Sequence, residues 1–70
     1  MSENARRAEY GNQVMELAAS ANLTDDDELE TDITDLITNL LHYAHTEGLN
    51  TEEILTRAGY HFTQEIEEES

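Results

Sequence analysis

The sequence predicts a small all-α protein, a three-helix antiparallel bundle centred on a helical hairpin. Three observations predict it. Apolar residues recur at steps of three and four in three separate stretches, the spacing of one helix face. Between the second and third stretches, the turn Gly48-Leu49-Asn50 carries a helix stop and a helix start side by side. No proline interrupts any stretch, and no cysteine is present to staple a loop-rich fold.

The first helix is expected over about 3–21, with Tyr10, Val14, Leu17, Ala18 and Ala21 on one face. Glu3 stands four residues before Arg7 and Arg6 three before Glu9, spacings that form weak surface ion pairs. Gly11 within it costs about 1 kcal/mol relative to alanine. Asn22 can take a left-handed stop with Leu23 as its apolar follower. Residues 1–4 are expected to fray.

The second helix is expected over about 25–47. Thr24-Asp25-Asp26-Asp27 resembles a capping box with aspartate in the third place, and the acids complement the positive end of the helix dipole. A start at Thr31 is the alternative, but Leu29 is in phase with Ile33, Leu36, Ile37, Leu40, Leu41 and Ala44. A stripe this broad suits a central helix that touches two others. Gly48 then provides a left-handed stop and Leu49 an apolar clip. Asn50 is the next N-cap, with Glu53 placed to reach back to it.

The third helix is expected over about 51–66, with Ile54, Leu55, Ala58, Phe62 and Ile66 on one side. Gly59, near that side, would let a neighbouring backbone approach. The glutamates from Glu65 to Glu69 oppose the dipole at the C-terminal end, so fraying is expected over 67–70. The whole of 1–70 reads as one domain, either this bundle with a modest core that dimerisation can complete, or a long hairpin plus a helix exchanged in a dimer, because a chain of this size is marginal alone.

Composition sets the strongest limits on function. Seventeen acidic residues face three arginines and no lysine, a formal charge of −14. Such a chain repels phosphate backbones and anionic lipid, so neither direct nucleic-acid binding nor membrane binding is expected. The absence of lysine and the eight threonines fit a surface adapted to molar salt, where repulsion is screened within about 3 Å. No apolar run approaches a membrane span and the polar N-terminus lacks a signal-peptide core, so the expected location is the cytoplasm.

No catalytic, cofactor or metal site is expected. His42 and His45 are three apart, but the wheel turns them away from the apolar stripe, and position 39 is asparagine where a helical metal motif needs a carboxylate. An EF-hand loop begun at Asp25 would put Leu29, Glu30 and Leu36 at ligand or glycine positions, and fails. An acyl carrier reading lacks its Asp-Ser-Leu attachment serine. A helix-turn-helix reader would need a basic second helix, whereas this one offers Glu52, Glu53 and a single arginine.

Tyr60 lies nearly opposite the apolar side of the third helix, and Tyr43 flanks the central stripe. Tyrosine and arginine are enriched where proteins bind, so Tyr43, Arg57 and Tyr60 are the expected partner-binding residues. Asp35-Leu36, Leu40, His42, Tyr43, Gly48 and Glu52-Glu53-Ile54-Leu55 together resemble small uncharacterised acidic helical open reading frames of microbial genomes and mobile elements. That resemblance spans roughly 32–66 and implies no activity. The expected function is a non-enzymatic protein-interaction module, self-associating as a homodimer in a salt-rich cytoplasm and binding an unidentified, basic protein. The alternative is a DNA mimic that inhibits a nucleic-acid-binding protein, of a phage or plasmid anti-defence type.

Overall fold

The computed structural model describes residues 2–25 and 28–69. They form α1 (Glu3–Ser20), α2 (Leu29–Thr46) and α3 (Thr51–Glu69), with no strand among them. The protein is a small all-α bundle. Helices α1 and α2 each contact α3 and touch one another less.

Both helix stops follow the pattern read from the sequence. At the end of α1, Asn22 adopts φ 59°; its N–H donates to the Ala19 carbonyl at 3.1 Å, and the Leu23 N–H donates to the Ala18 carbonyl at 2.8 Å. At the end of α2, Gly48 adopts φ 74°; its N–H donates to His45 and the Leu49 N–H to Ala44, each at 3.0 Å. These are two Schellman motifs, which satisfy carbonyls that the helix itself leaves without donors. Asn50 caps α3 as expected, its Oδ1 accepting from the Glu53 N–H at 3.0 Å. The return half of the box is replaced: the Glu53 carboxylate accepts from Arg57 one turn ahead instead.

Helix α1 starts at Glu3 as read from the sequence, and Ser2 Oγ caps it by accepting from the Ala5 N–H at 3.0 Å. Two boundaries differ from the sequence reading. Helix α2 begins at Leu29, later than the Thr24 start and earlier than the Thr31 one, and its N-cap Glu28 makes no side-chain cap bond. Aspartate favours non-helical backbone, and stacking several acids within one turn adds like-charge repulsion, so the helix starts after the acidic run; Asp26 and Asp27 lie outside the described residues. Helix α3 continues through Glu69, past the expected end at about 66.

The interior is thin. Among the described residues, the buried apolar side chains are Ala18 and Ala44, joined by one buried charged residue, Asp32. Asp32 lies in the first turn of α2, where free N–H groups favour negative charge. Ala18 and Ala44 are the two residues whose carbonyls close the Schellman stops. The stripes expected to form the core are largely outside it: Tyr10, Val14 and Leu17 on α1 are exposed, as are Leu29, Ile33, Ile37 and Leu40 on α2.

Gly59 does not serve a close approach within the chain, since a Cβ added there meets no atom within 4 Å. Gly59→Ala should therefore raise stability by about 1 kcal/mol through helix propensity alone. A urea melt followed by helical circular dichroism measures this; an unchanged or lower midpoint would show that something outside the chain occupies the space.

Candidate functional site

Two junctions hold the helices and leave an apolar groove between two of them. At the first, the start of α1 meets the end of α3. Asn4 Nδ2 donates to the Glu65 carbonyl at 2.8 Å, and Arg7 Nε stands 3.6 Å from the Glu65 carboxylate while also 3.7 Å from Glu3. Phe62 and Ile66 line the small cleft beside these groups. Arg6 pairs with Glu3 at 3.8 Å, the opposite direction from the Glu9 pairing that the spacing allowed. These ion pairs are exposed enough to contribute little energy individually. They do fix where α1 crosses α3. The second junction is the hairpin turn at Gly48.

Between α1 and α2 lies a groove of about 480 Å³. Gly11, Val14 and Met15 form the α1 wall; Ile33, Ile37 and Leu40 contribute to the α2 wall. None of its lining side chains carries a charge among the described residues, although 29% of the chain is charged. Its α2 wall is the in-phase stripe read from the sequence. Its α1 wall shares Val14 with the face read from the sequence; Ala8, Gly11, Asn12 and Met15 complete it and lie outside that reading.

The expected partner-binding residues are all on the surface. Tyr43 is 64% exposed and Tyr60 62%. Arg57, ion-paired with Glu53, lines a shallow cleft with Leu49, Asn50 and Ile54. Tyr60 sets its ring edge-on to that of its neighbour His61, with centroids 6.1 Å apart. The cleft at Arg57 includes neither tyrosine, so these residues do not share one described pocket.

His42 and His45 line a cleft with Thr38, Leu41 and Thr51. Among the described residues, no group of three or more His, Asp or Glu side chains is placed to hold a metal ion. No helix of the described chain is long and apolar enough to cross a membrane.

Compared with family models, curated proteins and solved structures, the chain matches none of them. What the fold and surface define is a class in physical terms: a small all-α protein whose apolar faces are turned outward within a strongly acidic chain.

Proposed function

We propose that this chain is a non-enzymatic protein-interaction module that self-associates in a salt-rich cytoplasm. The supporting observation is the exposure of its large apolar side chains, from Leu17 at 69% to Ile54 at 39%, against two buried alanines. Single exposed apolar residues need no explanation, but contiguous ones mark contact surfaces. In this reading the exposed Tyr43, Arg57 and Tyr60 remain available to a further protein partner.

The charge bears on solvent. A formal −14 on seventy residues opposes compaction and association at low ionic strength, and molar salt removes most of that opposition. Light scattering with circular dichroism at ~0.1 M and ~3 M KCl, where the Debye length falls from about 10 Å to below 3 Å, tests the reading. Loss of helix at low salt with a helical oligomer at high salt is expected. A helical monomer in both solutions would overturn it. That result would turn attention to the DNA-mimic reading, whose working surface is the carboxylates, and to competition with DNA for a basic protein.

A further inference from the structure

The proportions of the chain show how much surface is uncovered. A folded monomer of 7.9 kDa is expected to expose about 4,400 Å², whereas this chain exposes 5858 Å². Its radius of gyration is 13.6 Å, against about 11 Å for a compact domain of this length. The excess, about 1,400 Å², exceeds the ~800 Å² that each partner contributes to a standard stable interface.

We infer that the uncharged α1–α2 groove is the seat of a second copy of this chain, the two copies meeting groove face to groove face across a two-fold axis. The inference rests on the self-association proposed above and names the surface that carries it. Charge selects the occupant. A basic partner would gain nothing from walls without carboxylates, since it would be drawn to the acidic residues elsewhere. A second copy, itself carrying −14, can approach closely only through a face that brings no carboxylates together. Geometry agrees: the groove joins at Val14 to the exposed Tyr10 and Leu17, which follow the four-three spacing of a helix-pairing seam. A two-fold interface uses the same patch twice, so it requires one self-complementary surface. Here a small-residue wall containing Ala8 and Gly11 flanks large side chains on the same face. An added Cβ at Gly11 meets nothing within 4 Å, which leaves room there for a partner's side chain.

Sedimentation equilibrium in about 1 M KCl, where screening acts within about 3 Å, reads the assembly. The wild type should run at the mass of two chains. Val14→Glu and Ile37→Glu should each weaken the dimer at least about 30-fold, while Thr63→Glu, at an exposed site on α3, should leave it unchanged. Because a groove variant could lose its fold, a second measurement uses a near-native chain. The sequence has no cysteine, so Glu16→Cys, at the residue that accepts a hydrogen bond from the groove's Asn12, takes a single nitroxide beside the groove. Mixed with isotope-labelled wild type, it should broaden the methyl signals of Ile33 and Ile37 across the interface. Broadening confined to α3 methyls, or dimers that survive both groove substitutions, would overturn the groove assignment and leave self-association standing. A wild type that stays monomeric at millimolar concentration, folded or not, would overturn both.

Discussion

Gly48→Val should lower stability by about 2 kcal/mol, the penalty of the left-handed region for a residue with a Cβ, which is steepest for a branched side chain. Position 48 holds φ 74°, and an added Cβ there meets no atom within 4 Å, so the whole effect comes from the backbone. The consequences spread beyond the turn. The stop positions the N–H groups of Gly48 and Leu49 on the carbonyls of His45 and Ala44, and it sets the angle at which α3 returns to α2. Domains below about 70–80 residues hold some 3–5 kcal/mol from a single core, so the loss is a large fraction of the total. Gly48→Asn should be far milder, because asparagine tolerates the same conformation, as Asn22 does at φ 59° in this chain. Urea melts of the three proteins at one high salt concentration check the ordering Gly, Asn, Val. A valine variant as stable as the wild type would mean that the turn does not hold its left-handed form in solution.

Ala44→Asp should cost about 3–5 kcal/mol, the penalty of leaving a buried charge uncompensated, and should unfold the chain even in molar salt. Ala44 is 6% exposed and lies in the last turn of α2, where negative charge also opposes the dipole. Two controls separate these causes. His45→Asp places the same charge one residue on, at an exposed site, and should cost well under 1 kcal/mol beyond the helix-dipole effect. Ala44→Ser adds a hydroxyl that can return its hydrogen bond to the helix backbone, and should cost less than the aspartate. If Ala44→Asp melts with His45→Asp, the site is not buried in solution.

Much of the fold was legible because the signals that encode it are local. Asn22-Leu23 and Gly48-Leu49 each place a left-handed residue before an apolar one, and both produce the stop they announce. Asn50 caps α3 for the same reason. The start of α2 was less legible. Thr24 followed by acids satisfies a capping pattern, yet the helix begins at Leu29 with Glu28 at its N-cap. The start of α1 at Glu3 was legible, and the Ser2 cap that sets it was not part of the reading.

The candidate site shows a different limit. Periodicity says which side of a helix is apolar and is silent on what covers it. The stripe from Leu29 to Leu40 was read as core and is instead the wall of an open groove. Tyr43, Arg57 and Tyr60 were singled out as residue types enriched where proteins bind, and all three are exposed. The groove depends on where α1 crosses α3, and that depends on Asn4 and Arg7 meeting Glu65 some sixty residues away. No local pattern encodes such a meeting.

The two Schellman stops also supply the two buried alanines, and this coincidence bears on how the chain reaches its structure. When the bonds that end a helix are formed by the same residues that are packed, most of the ordering joins neighbours in sequence and closes only short loops. The entropy of such closures is small and the search is brief. The Asn4–Glu65 and Arg7–Glu65 contacts must wait for the ends of the chain to meet. For the self-association proposed above, encounter between copies is then the slow, concentration-dependent event.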